Sequence, residues 1–260
     1  MDLELDGNAA LVTASTSGLG LASAEALAAA GANVAICGRS ADKIDAARET
    51  VAAGTGDVLA IEADITDGDD IDRLVTETVA EFGGLDHLVT SAGGPPSGPF
   101  LDTAEEEWYA AYDLLVMSVV RTLSAAYPHL EASDAGTWVA ITSTSVAEPI
   151  EGLVLSNAVR RGVTGVVDTV AREFAPDIRA NAVLPGSHET PRIEELVEAG
   201  VERGEYENYE EGLADWSDGI PLERVGDPRE LGDAVAFLSS ARASFITGAA
   251  LPVDGGTLRG

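Results

Sequence analysis

Short apolar runs alternate with longer amphipathic or alanine-rich stretches along the whole of this 260-residue chain. The runs near 9–13, 33–37, 57–62, 86–90, 137–142, 178–184 and 249–253 have strand length, and their largely apolar character suits strands covered on both faces. Helical periodicity and composition predict helices near 18–30, 41–53, 68–82, 103–126, 153–174 and 228–239. Strands separated by helices of this length imply right-handed parallel crossovers. The expected fold class is therefore α/β: one doubly wound parallel sheet of seven strands with helices on both faces, and ligands at the carboxyl ends of the strands. Without a Pro/Gly/Ser-rich linker to divide it, the chain reads as one domain, 1–260.

The stretch Ala9 to Leu21, AALVTASTSGLGL, organises the rest. An apolar strand runs into small and hydroxyl residues (Thr13, Ser15, Ser17), and then Gly18, Leu19 and Gly20 open a run rich in alanine and leucine that stops at Gly31. Strand, tight turn and helix in this order suit a diphosphate. Small residues admit it to the backbone, and the helix N-terminus offers free N–H groups and the positive end of the dipole. The spacing Ala14-x-x-x-Gly18-x-Gly20 lacks a first glycine, so a bare strand-to-helix turn remains the alternative.

Charge narrows the partners. Asp and Glu number 45 against 15 Lys and Arg, a formal charge of −30, and Lys43 is the one lysine. Phosphate backbones and anionic membranes are repelled by such a surface, which speaks against nucleic-acid and membrane partners. The acids are scattered over predicted helix faces, a pattern that fits a protein working in concentrated salt; a merely acidic protein is the alternative. Cys37, the single cysteine, excludes an internal disulfide and sits in an apolar strand as a structural thiol. No signal-like N-terminus and no apolar run of about 18 residues is present, so a cytoplasmic location is expected. No metal-ligand set is assigned.

The predicted strand ends carry the candidate chemistry. After the second strand, where an NAD-preferring site would carry a ribose-reading acid, the chain has Gly38-Arg39-Ser40. Arg39 and Ser40 suit a 2′-phosphate; the alternative is a solvated arginine. After the third strand come Asp64 and Ile65. The Asp64 carboxylate suits an adenine amino group or a helix cap, a role equally open to Thr66 or Asp67. After the fourth strand, Ser91, Ala92 and Gly93 let a flat nucleoside lie against the backbone.

Taken together, these segments resemble the short-chain dehydrogenase/reductase family, in the form that includes the 3-oxoacyl-(acyl carrier protein) reductases. The likeness rests on Thr13-Ala14-x-x-x-Gly18-Leu19-Gly20, Asp64-Ile65, Ser91-Ala92-Gly93, Ile141-Thr142-Ser143, Asn181 through Gly186, and Ile246 through Gly256. It implies a Rossmann sheet that binds NAD(H) or NADP(H); Arg39 and Ser40 favour NADP(H). It also implies a small-molecule carbonyl or alcohol substrate, nicotinamide contacts near Pro185, Gly186 and His188, and a diphosphate contact from Thr190. The family further implies a two-fold pairing of the helices near 103–126 and 153–174, whose apolar runs predict a homotetramer. The acidic, aromatic segment at about 190–221 is expected to form a substrate lid.

In the catalytic set the chain departs from the family it resembles. Counting 13 and 17 positions from Ser143, where the family has Tyr and Lys, gives Ser156 and Arg160, and the family's Asn aligns with Leu115. A phenol beside an ammonium is a matched proton donor, whereas a serine hydroxyl is a much weaker acid and an arginine stabilises an oxyanion without donating readily. Three readings follow. One is an oxidoreductase of modified mechanism, with Ser143 and Ser156 bonding the substrate oxygen and Arg160 holding the nicotinamide ribose. The others are non-redox chemistry on the same scaffold and a nucleotide-binding subunit without turnover. His188 is a further candidate acid, the alternative being backbone contacts alone.

Overall fold

The computed structural model of the protein describes residues 2–258. One sheet runs through it, in the order β3-β2-β1-β4-β5-β6-β7, and every recorded pairing is parallel. The strands are β1 (Ala9–Val12), β2 (Asn33–Gly38), β3 (Val58–Glu62), β4 (His87–Thr90), β5 (Thr137–Ile141), β6 (Arg179–Pro185) and β7 (Ala250–Val253). β1, β4 and β5 are buried at every position, as their largely apolar runs predict. The sheet separates two apolar layers. One joins Leu27, Val34 and Val12 to Leu231 and Val235, and the other joins Leu74, Leu88 and Trp138 to Leu123, Leu155 and Val163.

The helices are α1 (Gly18–Ala29), α2 (Ala41–Val51), α3 (Gly68–Phe82), α4 (Glu105–Tyr112), α5 (Ser118–Glu131), α6 (Val154–Glu173), α7 (Pro191–Glu202), α8 (Tyr209–Trp216) and α9 (Pro228–Ser239). Between α4 and α5, Asp113–Met117 adopts π-helical geometry, so the helix expected at 103–126 is one long element with a bulge at its centre. Leu115 lies in that bulge, 2% exposed. It belongs to the core and offers no polar atom to a proton relay.

Segment 190–221, read from sequence as an acidic lid, contains two helices, α7 and α8, that periodicity had not marked. Asn208 caps α8 by accepting from Glu211 N, and the hydroxyl of Tyr209 donates to Glu189 at 2.8 Å. Elsewhere a single guanidinium closes the far end of α9. Half-buried beneath it, Arg179 donates to the carbonyls of Leu238, Ser239, Ser240 and Ile246, which supplies partners for a helix C-terminus that has no basic residue in its last turn.

Candidate functional site

Strand order reverses between β1 and β4, and the two strands diverge there above a turn made of Thr13 to Ser17. The Thr13 hydroxyl donates to Ser91 O at 2.7 Å and accepts from Ser91 N at 2.9 Å. Ser15 Oγ donates to Val12 O at 2.7 Å and accepts from Cys37 N at 3.0 Å. Both hydroxyls were expected at the diphosphate. Instead both are consumed in tying β1 to its neighbours, because a turn at diverging strands has backbone groups that the ladder cannot pair.

The glycines of the motif work as their spacing suggests. A Cβ on Gly20 would sit 2.6 Å from Ala14 O, so only glycine lets α1 start this close to the turn, and one on Gly18 would meet Thr190 Cγ2 at 3.5 Å. The missing first glycine has left its mark: Ala14 has φ +46°, a left-handed conformation that L-residues rarely take. The first turn of α1 has no side-chain cap on Ser17 and no acidic residue, so its N–H groups are open to an anion.

From that turn extends a cleft of about 580 Å³. Its wall includes Ser17, Gly18, Leu19, Gly20, Arg39, Ser40, Asp64, Ile65, Ser91, Ala92, Gly93, Arg160 and Thr190, which are 13 of the positions named from sequence. Lys43 is on the same wall. Sequence reading passed over it as lying away from the catalytic helix. The signal was present nonetheless: it is the one lysine of a chain of charge −30, four residues after Arg39 in the first turn of α2. Thr16, Gly38, Leu114 and Thr142 also line the cleft. An uncapped helix N-terminus, glycines that a Cβ would crowd, and basic side chains at one end are the donor set a dinucleotide phosphate needs, so the residues present fit a nicotinamide nucleotide.

Asp64 makes an Asx turn. Its carboxylate accepts from Thr66 N at 2.9 Å and Thr66 Oγ1 at 2.7 Å, with Arg39 Nη1 at 3.9 Å, and these contacts, the Thr66 backbone first, hold its pKa below the usual range. Capping of α3 falls to Asp67, which accepts from Asp69 N and Asp70 N. Arg39 is 79% exposed along its side chain and free to turn toward a ligand.

On α6, Ser156 and Arg160 lie one turn apart and share a face. Arg160 Nη2 donates to Gly93 O at 3.4 Å, which joins α6 to the loop after β4. Burial lowers its pKa to about 10, and among the described residues no carboxylate forms an ion pair with it. Ser143, at the end of β5, accepts from Ser145 N at 3.1 Å, and Ser145 Oγ lies 3.2 Å from Ser156 Oγ. Gly162 lets α6 lie close to the π-helical segment, since a Cβ there would meet Val116 at 3.2 Å.

Ser143 and Ser156 are not on the wall of this cleft, and neither are Pro185, Gly186 and His188. Pro185 ends β6, Gly186 N donates to Val253 O, and His188 pairs with Gly226 in an isolated bridge. The His188 imidazole contacts Gly186 O through Nδ1 at 3.2 Å and lines a separate cavity of about 480 Å³ with Arg224, Glu230 and Asp254. Burial lowers its pKa. The ring lines that cavity and not the cleft wall to which Arg160 contributes.

This architecture is that of a Rossmann-type α/β protein with a nucleotide-sized cleft at the strand-order switch. The chain belongs to the short-chain dehydrogenase/reductase family of oxidoreductases: residues 13–257 match the family model described as enoyl-(acyl carrier protein) reductase. Human dehydrogenase/reductase SDR family member 4 is 32% identical over 255 residues, covering 97% of this chain and 88% of that protein. L-Sorbose reductase from Gluconobacter frateurii, solved with NADPH and L-sorbose, is 29% identical, covers 100% of both chains and superposes with a TM-score of 0.95. A short-chain oxidoreductase from Pseudomonas aeruginosa PAO1, reported to contain an atypical catalytic center, is 31% identical over 100% of both chains with a TM-score of 0.92. Among the described residues no helix is long and apolar enough to cross a membrane.

Proposed function

We propose that the protein is an NADP(H)-preferring oxidoreductase of small carbonyl or alcohol substrates that works without the family's Tyr-Lys pair. The observation that carries the reading is the continuous cleft wall from Gly18–Gly20 through Arg39, Ser40 and Lys43 at one end to Arg160 at the other. Bound there, the nucleotide supplies or accepts the hydride. Arg39, Ser40 and Lys43 hold a 2′-phosphate, the open N–H groups of α1 hold the diphosphate with Thr190 above them, and Arg160 donates to the nicotinamide ribose. Ser143 and Ser156 bond the substrate oxygen, and α7 and α8 cover it as a lid. The loss of a general acid costs a factor of about 10² to 10⁴, while orientation and electrostatic stabilisation remain. The relative with an atypical catalytic center and the sugar reductase solved with NADPH support this assignment.

The scattered acidic surface and the apolar runs of α5 and α6 support a homotetramer in a salt-rich cytoplasm. Light scattering at molar salt tests it, and a monomer refutes it.

The buried, apolar Leu115 and the lack of a phenol at Ser156 support a second reading, nucleotide binding without turnover. NADPH affinity and NADPH oxidation, measured with a panel of ketones, 3-oxoacyl thioesters and sugar carbonyls at molar salt, decide between the two. The first reading expects turnover on some carbonyl, a slower rate in Ser143→Ala, and joint loss of affinity and rate in Arg160→Ala. Tight binding with activity confined to the Ser156→Tyr/Arg160→Lys double variant establishes the second.

A further inference from the structure

Ser145 has two contacts that the proposed reaction does not use. It sits in the single 3-10 turn after β5, Thr144–Val146, and is fully enclosed at 0% exposed. Its backbone N–H donates to Ser143 Oγ at 3.1 Å, and its own hydroxyl lies 3.2 Å from Ser156 Oγ. One residue thus touches both hydroxyls assigned to the substrate oxygen.

The direction of these bonds follows from donor counting. A serine hydroxyl has one hydrogen to give and two lone pairs. Among the described residues, the recorded partner of Ser145 Oγ is Ser156 Oγ. An enclosed hydroxyl that does not donate strands its hydrogen away from water, which costs more than leaving a lone pair empty. Distance alone does not set the donor; Ser145 is the more enclosed of the two hydroxyls, at 0% exposed against 8% for Ser156, so Ser145 is assigned as donor and the Ser156 hydrogen is left for a ligand. At Ser143 the backbone N–H of Ser145 fills an acceptor position in the same way, and the Ser143 hydrogen is free too.

We infer that Ser145 is a positioning residue that turns the Ser143 and Ser156 hydroxyls into a pair of donors for one oxygen. The inference rests on the proposed roles of those two serines. It also sets the chemical class of the ligand atom, because two free O–H donors suit a carbonyl or alkoxide oxygen with lone pairs to offer.

The test is a double-mutant cycle on the full-length protein: wild type, Ser145→Ala, Ser156→Ala and the double variant. Thermal unfolding is read first, with and without NADPH. A midpoint shift in the double variant smaller than the sum of the single shifts supports the bond, and strict additivity overturns it. That readout stands even if no carbonyl is turned over, a result that would end the oxidoreductase reading instead. With a carbonyl substrate, Ser145→Ala lowers kcat at least tenfold while NADPH affinity stays within twofold, and the double variant is no slower than Ser156→Ala. Ser145→Thr, which keeps the hydroxyl, recovers most of the rate. Ser145→Cys, a weaker donor of similar size, also lowers kcat and serves if the alanine variant does not fold. An unchanged kcat in Ser145→Ala or Ser145→Cys, or rate losses that simply multiply in the double variant, overturns the inference.

Discussion

The Thr13 hydroxyl stands between the two backbone groups of Ser91, donating to its carbonyl at 2.7 Å and accepting from its N–H at 2.9 Å. This pair of bonds closes the gap where β1 and β4 diverge and fixes the floor of the nucleotide cleft. Thr13→Val keeps the shape and leaves both Ser91 groups unpaired. A stability loss of about 2 kcal/mol is expected, read from the urea midpoint without nucleotide, together with weaker NADPH binding. An unchanged midpoint would show that water replaces the hydroxyl at no cost.

Ala14 has φ +46° next to that floor. Ala14→Gly removes the Cβ penalty of a left-handed residue, offset in part by the greater freedom of glycine in the unfolded chain, so a gain of roughly 0.5–1 kcal/mol is expected in the same titration. A loss of stability would mean that the methyl group packs usefully where it stands.

His87 is enclosed in β4 between Asn8 and Thr137, with Nε2 2.9 Å from the Asn8 amide nitrogen and Nδ1 2.8 Å from Thr137 Oγ1. The Asn8 amide donates to Nε2, so Nδ1 bears the hydrogen and donates to Thr137. Desolvation pushes its pKa down from 6.5 to about 4, opposed by Asp86 and assisted by Arg179. As the folded pKa lies below the unfolded one, its contribution is complete above pH 6.5 and is lost as pH falls toward 4. The loss across this window is about 3 kcal/mol. Comparing the pH dependence of stability in wild type and His87→Gln isolates it from the carboxylates. Parallel curves for the two proteins would remove His87 as the source.

Arg39, Ser40 and Lys43 share one wall of the cleft. Arg39→Ala and Lys43→Ala are each expected to weaken NADPH binding about tenfold and to leave NADH within twofold, at one fixed salt concentration because salt screens these contacts. Titration by nucleotide fluorescence reads both constants, and equal losses for the two nucleotides would refute a 2′-phosphate contact.

The seven strands and their helical crossovers were legible in the chain because a strand covered on both faces must be continuously apolar and a crossover must be long enough to return. Gly18, Gly20 and Gly93, singled out in the chain as small residues beyond strand ends, all lie on the cleft wall. The absence of tyrosine and lysine at Ser156 and Arg160 is likewise a property of sequence alone.

Tertiary structure decided which hydroxyls remain free. Thr13 and Ser15 look like ligand contacts in the motif, but their partners, Ser91 and Cys37, lie 78 and 22 residues away and satisfy them first. His188 shows the same limit, since its ring lines another cavity beside Gly226. Lys43 and Ser145 went the other way. One reaches the cleft because α2 starts at the end of β2, and the other joins Ser143 to Ser156 because the turn after β5 folds back on α6. Periodicity describes which face of an element is buried. Hydrogen-bond partners are chosen by distance in the folded chain, and that is set only when the sheet order brings remote segments together.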